Sequence, residues 1–135
     1  MATSGLIIDT DIIIDFLRRQ SNTLVDALTH FHCHLTAVTV YEIEVTAIKS
    51  ARQTEQFGQV LQWLTVLSLD ITAARQAAVI QRTLKQQGQT IGLPDTLIAG
   101  ICLTQQAPLL TRNTRHYQRV TGLQIISPEE LSALY

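Results

Sequence analysis

Short apolar runs alternate along the chain with longer segments in which apolar residues recur every three or four positions. The short runs predict strands, which lie at 6–8, 34–38, 67–69, 108–111 and 124–126. The longer segments have the period of amphipathic helices and lie at 11–19, 23–31, 39–50, 54–64, 72–87, 93–106 and 127–135. Strands that alternate with helices favour an α/β domain with a mostly parallel central sheet, because each parallel strand needs a crossover connection.

Helix-start signals refine these boundaries. Thr39 followed by Glu42 is a capping-box pattern, in which the two side chains accept hydrogen bonds from backbone N–H groups at a helix start. Ser127 begins a second pattern of this kind, and Thr72 occupies the cap position of the longest predicted helix. The sequence therefore predicts helix starts at these three residues.

Composition and charge narrow the class of protein. The chain has 135 residues, of which 46% are hydrophobic and 16% charged, and it contains no linker or internal repeat. This composition predicts one folded domain spanning 1–135 rather than a disordered chain. A net charge of −1 argues against a broad basic surface for duplex DNA. It leaves open a nucleic-acid substrate held through metal ions and a few arginines.

Cysteine content and hydropathy indicate the compartment. Cys33 and Cys102 are far apart in sequence, which predicts no disulfide framework and a reducing environment. The first residues lack the basic region of a signal peptide, and no apolar run approaches the ~18 residues of a membrane span. We therefore expect a cytoplasmic protein that does not enter a membrane.

Polar residues that follow the predicted strands are the candidates for chemistry. Five of them end a strand, follow it, or begin a later helix: Asp9, Glu42, Asp95, Asn113 and His116. Because the carboxyl ends of parallel strands lie on one edge of a sheet, we expect these side chains to converge there. Carboxylate oxygens are the ligands that Mg²⁺ and Mn²⁺ prefer, so the three acids are candidate metal ligands.

Each acid in these segments also has a structural explanation. Asp11 is favoured as a helix-start residue, and Asp15 is expected to face solvent or an arginine. Glu42 could complete the capping box, and Asp95 could interact with a helix dipole. For Asp9 a functional role is favoured, since a strand-end acid in a parallel-sheet pattern is harder to explain by capping.

The segment "HFHCH" at 30–34 suggests a metal site of another kind. In a strand its three histidines would share one face and Cys33 would point to the other. Structural zinc sites draw ligands from two separated pairs, and the sequence offers no second Cys/His pair. A helix-to-strand connection is the favoured interpretation.

Four segments resemble, in order, the motifs of PIN domains. "LIIDTDIIIDFL" (6–17) is similar to their opening strand that ends in Asp, and "TAVTVYEI" (36–43) to the second acidic motif. "GLPDTLIAGICL" (92–103) resembles the third motif and "LLTRNTRHYQRVTGLQII" (109–126) the fourth block. The compact length resembles VapC-type toxin ribonucleases in particular. The resemblance implies a three-layer α/β/α fold with a mostly parallel central sheet, and metal-binding roles for Asp9, Glu42 and Asp95.

The same resemblance implies an activity and partners. It implies an endoribonuclease that depends on Mg²⁺ or Mn²⁺ and cleaves RNA with a metal-activated water. Glu42 would complete the metal shell or accept the proton of the water. The resemblance also implies a cognate antitoxin that blocks the site, and a homodimer.

One position departs from the family pattern. Many PIN relatives carry an acid where this chain has His116, so one carboxylate is missing. Thr111 and Asn113, together with His116, are then possible additional site residues, and Arg112 and Arg115 could contact RNA phosphates. The same loop could instead be a solvated polar segment, and a weakened site would leave an RNA- or protein-binding module.

A phosphatase is a second enzymatic interpretation. "DTD" after a strand also resembles haloacid-dehalogenase phosphatases, with Asp9 as nucleophile and Asp11 as acid/base. Those enzymes continue with a Gly-Thr type of turn and need a downstream lysine. Here three isoleucines follow, and the two lysines, Lys49 and Lys85, lie in helical patterns.

Overall fold

Five parallel strands form one sheet in the computed structural model, which describes residues 5–135. The strands lie in the order β3-β2-β1-β4-β5, so the first strand is central. They are β1 (Leu6–Ile8), β2 (Cys33–Thr36), β3 (Thr65–Leu67), β4 (Leu109–Leu110) and β5 (Ile125–Ile126). The predicted α/β class with a parallel central sheet is confirmed.

Helices connect the strands and cover both faces of the sheet. They are α1 (Thr10–Leu17), α2 (Thr23–His30), α3 (Ala37–Glu42), α4 (Ala51–Trp63), α5 (Ile71–Gln86), α6 (Leu93–Gln105), α7 (Thr114–Tyr117) and α8 (Pro128–Ser132). A π-helical turn, Ile43–Ala47, continues α3. None of the helices described within 5–135 is both long and apolar enough to cross a bilayer.

The apolar side chains of β1 divide between two cores. Leu6 and Ile8 pack into a core with residues of α1, α2 and α4, whereas Ile7 packs into a second core with residues of α5 and α6. Successive side chains of a strand point to opposite faces, so a continuous apolar run suits a strand buried on both sides. This arrangement of two helical layers around one sheet is the predicted three-layer architecture.

The start of α3 differs from the predicted capping box. Thr36, not Thr39, is the N-cap, and its side-chain oxygen accepts a hydrogen bond from the Thr39 N–H at 3.1 Å. The prediction was wrong because β2 ends earlier than expected, which places the helix start three residues before Thr39. Glu42 consequently lies in the last turn of α3 and has no capping role there.

The pair α5 and α6 is packed closely enough to require a glycine. A Cβ atom at Gly100 would lie 2.6 Å from the Ala73 carbonyl oxygen and 2.9 Å from the Ala77 Cβ. The start of α5 was predicted two residues too late: Asp70 is the N-cap rather than Thr72, and its carboxylate accepts from the Ala73 N–H at 2.8 Å.

Other boundaries moved by a few residues. The edge strand β3 begins at Thr65 rather than at residue 67, and the short helix α7 was not predicted. The capping box at Ser127 is present in full. His30 ends α2 and stacks on Tyr135 at 3.6 Å between ring centroids, so the three histidines do not share one strand face.

Candidate active site

The Tyr117 hydroxyl lies between two of the candidate carboxylates at the carboxyl edge of the sheet. Asp9 follows β1 directly, and Asp95 lies in the first turn of α6, after the Gly-Leu-Pro turn. The Tyr117 oxygen is 3.3 Å from Asp9 Oδ1 and 3.1 Å from Asp95 Oδ1. The fold therefore brings together two acids that are far apart in sequence.

Asp9 is a buried carboxylate held by several donors. It is only 4% exposed and is the N-cap residue of α1, where its Oδ1 accepts from the Thr10 N–H at 2.8 Å. The Thr111 hydroxyl donates to Oδ2 at 2.7 Å. Burial, aided by the nearby carboxylates of Asp11 and Asp95, raises the pKa of Asp9 to about 7.

Glu42 is oriented by a chain of threonine hydroxyls. The Thr10 hydroxyl donates to Glu42 Oε1 at 2.7 Å and lies 3.0 Å from the Thr39 hydroxyl. A hydroxyl carries one proton, so Thr39 donates to Thr10 and accepts in turn from Thr36 at 3.4 Å. Burial and the charge of Asp95 raise the pKa of Glu42, which places both acids in one electrostatic cluster.

Asp11 contacts the loop that follows β4. Its Oδ2 accepts from the Arg112 backbone N–H at 3.0 Å and lies 3.4 Å from the Thr111 hydroxyl oxygen, whose proton goes to Asp9. Burial raises the pKa of Asp11, and among the described residues its Oδ1 is buried without a hydrogen-bond partner. Asp11 lies in the first turn of α1 as expected, but its partners come from across the sheet.

Asp15 and Arg112 form a close ion pair beside the site. The Arg112 Nε is 2.6 Å from Asp15 Oδ2, and its Nη2 donates to Oδ1 at 3.1 Å. Asp15 is buried, so the expectation of a solvent-facing side chain was wrong and that of an arginine partner was right. The Arg112 side chain remains 55% exposed, and Arg115 is exposed on α7.

Asn113 and His116 border the Asp95 carboxylate. The Asn113 side-chain nitrogen is 2.9 Å from His116 Nδ1, and that ring nitrogen is 3.7 Å from Asp95 Oδ2. The Asn113 backbone N–H donates to the Thr111 hydroxyl at 2.9 Å, which fixes the start of α7. All the predicted site residues except Arg115 are thus linked to the carboxylate cluster by a hydrogen bond or a close polar contact, directly or through a neighbouring residue.

The donor set fits a hard divalent cation. Within 5–135, no three His, Cys, Asp or Glu side chains are placed so that they could hold a metal ion together. Mg²⁺ is usually held by one or two carboxylates together with waters. Asp9 and Asp95 therefore provide ligands of the right type and in sufficient number. Burial first, and then the nearby carboxylate of Asp11, raise the pKa of Asp9, and a bound cation would favour its charged form.

Two residues of the site were missed by sequence reasoning. Tyr117 was not a candidate because a single tyrosine is not part of any metal-ligand motif. Thr10 was not a candidate because the two aspartates on either side of it were the more obvious site residues. The position of Tyr117 directly after His116, inside the fourth motif, was the available signal. Tyr117 lies at the end of the short helix α7, and this helix, which places its hydroxyl in the site, was not predicted.

The carboxyl edge of the parallel sheet thus carries Asp9, which follows β1, Glu42 on α3 and Asp95 on α6. The PIN domain family model matches residues 6–123, and the chain belongs to the PIN domain family. This membership overturns the alternative of a haloacid-dehalogenase phosphatase. Nucleases of the PIN domain family generally use a divalent metal ion.

Two curated relatives are ribonucleases. The chain is 29% identical over 131 residues to a ribonuclease VapC of Rickettsia bellii, covering 91% of this chain and 96% of that protein. It is 30% identical over 93 residues to a tRNA(fMet)-specific endonuclease VapC of Shigella flexneri, covering 67% of this chain and 70% of that protein.

Solved structures share the fold. DNA-bound VapBC from Salmonella typhimurium superposes with a TM-score of 0.83 at 22% identity, over 93% of this chain and 99% of that chain. VapBC2 from Rickettsia felis, bound to a promoter DNA fragment, gives a TM-score of 0.80 at 18% identity, over 90% and 97% of the two chains.

Proposed function

We propose that the protein is an endoribonuclease that depends on Mg²⁺ or Mn²⁺, and that it is the toxin of a toxin–antitoxin pair. The observation that supports this most directly is the meeting of Asp9 and Asp95 at the Tyr117 hydroxyl. The VapC ribonucleases among its relatives support RNA as the substrate.

Asp9 and Asp95 are the proposed metal ligands, with Glu42 completing the site. A bound divalent ion would lower the pKa of a coordinated water and neutralise phosphate charge. Thr111 and Thr10 hold the two oxygens of Asp9 in place, so its orientation is fixed before substrate arrives. Glu42, whose pKa is raised by burial and whose Oε1 is held by the Thr10 hydroxyl, is placed to accept a proton from a water.

The loop after β4 would contact the RNA. Arg115 is exposed on α7, and Arg112 keeps half of its side chain exposed while it is paired with Asp15. Arginine binds phosphate through a planar fork of donors, which makes both side chains suitable for the RNA backbone. Asn113 and His116 lie between this loop and Asp95, where they would orient a water or a phosphate.

The proposed partners are an antitoxin protein and a second copy of the chain. Several structural neighbours are VapBC complexes from toxin–antitoxin systems, which supports the antitoxin. The homodimer and the cytoplasmic location stay proposals that rest on the family resemblance.

Asp95→Asn is the primary test of this function. The substitution keeps the size of the side chain but removes its charge, so we expect cleavage of RNA to fall at least about 100-fold. EDTA should abolish cleavage by the wild-type protein, and added Mn²⁺ should restore it. Asp26→Asn, at an exposed position on α2, is the matched control and should cleave like the wild type.

Three outcomes would contradict the proposal. Wild-type rates for Asp95→Asn would remove Asp95 from the site, and cleavage that EDTA does not affect would exclude a metal-dependent reaction. If calorimetry detected no Mn²⁺ binding and no cleavage occurred, the protein would instead be a binding module with a PIN fold.

A further inference from the structure

The Tyr117 side chain joins a ring that packs in the apolar core to a hydroxyl group that is not required for that packing. The ring is completely buried and belongs to the apolar cluster that contains Ile7, Ile98 and Leu109. Only the oxygen leaves this cluster, and it lies 3.1 Å from Asp95 and 3.3 Å from Asp9. A phenylalanine would fill the same apolar space, so the oxygen calls for a separate explanation.

The two carboxylates differ in the number of polar contacts that they make with groups other than Tyr117. Asp9 also accepts hydrogen bonds from the Thr10 N–H and the Thr111 hydroxyl. Within residues 5–135, the other polar side chain in contact with the Asp95 carboxylate is His116, whose Nδ1 lies at 3.7 Å, and the Asp95 side chain is 26% exposed. The position of Asp95 therefore depends on the tyrosine more than that of Asp9 does.

Repulsion makes this dependence important. Two carboxylates that face one another repel, because like charges at short range raise the energy of the charged pair. The Tyr117 hydroxyl carries one proton, which it donates to Asp95 Oδ1, the nearer acceptor at 3.1 Å, while its oxygen lies 3.3 Å from Asp9 Oδ1. With that donor removed, the partly exposed Asp95 side chain is free to turn toward solvent.

We propose that Tyr117 is a positioning residue whose hydroxyl fixes the separation and orientation in which Asp9 and Asp95 would bind a divalent ion. The inference rests on the metal-dependent nuclease function proposed above. It concerns a residue that acts through the two carboxylates and does not itself contact the ion or the RNA.

Tyr117→Phe is the test, because it deletes one oxygen and keeps the ring. We expect a cooperatively folded protein whose Mn²⁺ affinity, measured by calorimetry and by the Mn²⁺ paramagnetic resonance signal, is about tenfold weaker. At limiting Mn²⁺, kcat for RNA cleavage should fall while KM for RNA is unchanged, and excess Mn²⁺ should restore kcat. Tyr41→Phe, at an exposed tyrosine of α3, is the matched control and should behave like the wild type.

A crystal structure of metal-free Tyr117→Phe gives a readout that needs no metal. The Asp95 carboxylate should turn away from Asp9, whereas in Tyr41→Phe it should keep its place. An unchanged Asp95 position, or a Mn²⁺ affinity within about twofold of the wild type, would overturn the inference.

The remaining outcomes also separate the two proposals. Loss of cooperative unfolding in Tyr117→Phe would assign the hydroxyl a structural role and overturn positioning. Wild-type protein that binds no Mn²⁺ would overturn the proposed function and this inference together. EDTA-sensitive cleavage by the wild type, an inactive Asp95→Asn and an unaffected Tyr117→Phe would overturn the inference alone.

Discussion

At the scale of single residues, the most informative group is Asp9, a carboxylate buried against other carboxylates. Its pKa is raised to about 7, first through burial and then through the charge of Asp11. An unfolded chain would release this proton near pH 4. Between these values folding takes up a proton, so this group makes the metal-free protein less stable as pH rises toward 7.

Asp9→Asn should remove this pH dependence. Asparagine carries no charge, so the decline in the free energy of unfolding between about pH 4 and 7 should flatten in the variant. Each pKa unit corresponds to about 1.4 kcal/mol, so the change is on the order of a few kcal/mol. Urea unfolding in EDTA across this pH range is the measurement, with Asp26→Asn as the exposed control. A slope equal to that of the wild type would contradict the raised pKa of Asp9.

At the scale of elements, helix contacts decide where the acids lie. Thr36 starts α3 earlier than the sequence pattern indicated, which brings Glu42 to the last turn, within reach of the Thr10 hydroxyl. The close approach of α5 to α6 at Gly100 fixes the helix that carries Asp95. Small shifts of these helices would therefore displace the carboxylates.

Two glycines in helices predict opposite responses to alanine. Gly100→Ala places a methyl group against the Ala73 carbonyl oxygen, so we expect a loss of roughly 1–3 kcal/mol in the free energy of unfolding. Gly58→Ala meets no atom within 4 Å on α4 and should stabilise by about 0.5–1 kcal/mol. Urea unfolding of the two variants measures both. Equal effects at the two sites would contradict the close packing of α5 on α6.

At the scale of the whole molecule, a bound ion should stabilise the fold. A ligand that binds the folded state alone adds about 2.7 kcal/mol to the free energy of unfolding at 100 times its Kd. Mn²⁺ should therefore raise the Tm by several degrees, and EDTA should reverse the change. The shift should be absent in Asp95→Asn. The same Tm with and without Mn²⁺ in the wild type would contradict a metal site.

Much of the fold and of the site could be predicted from the sequence. The strand that precedes Asp9, the parallel sheet and the helix that carries Asp95 near its start were predicted correctly, because apolar runs and helix-start residues are local signals. The single-domain prediction for 1–135 stays a prediction. The catalytic and metal roles of Asp9, Glu42 and Asp95 stay proposals, to be tested by the variants described above.

The sequence predictions failed where contacts between distant segments determine the position of a side chain. The burial of Asp15 depends on Arg112, which arrives from the loop after β4. Glu42 accepts a hydrogen bond from the Thr10 hydroxyl rather than completing a capping box. The sequence pattern around Glu42 does not distinguish these two arrangements. Tyr117 lies on a helix too short to leave a periodic pattern.

The order of residues along the chain was enough to predict a parallel sheet with acids gathered at the carboxyl ends of its strands. This prediction follows from local periodicity and from the topology that such a pattern requires. The position of a buried tyrosine hydroxyl between Asp9 and Asp95, by contrast, became visible in the folded structure alone. Distances of about 3 Å between segments remote in sequence arise from packing in three dimensions, which no local pattern encodes.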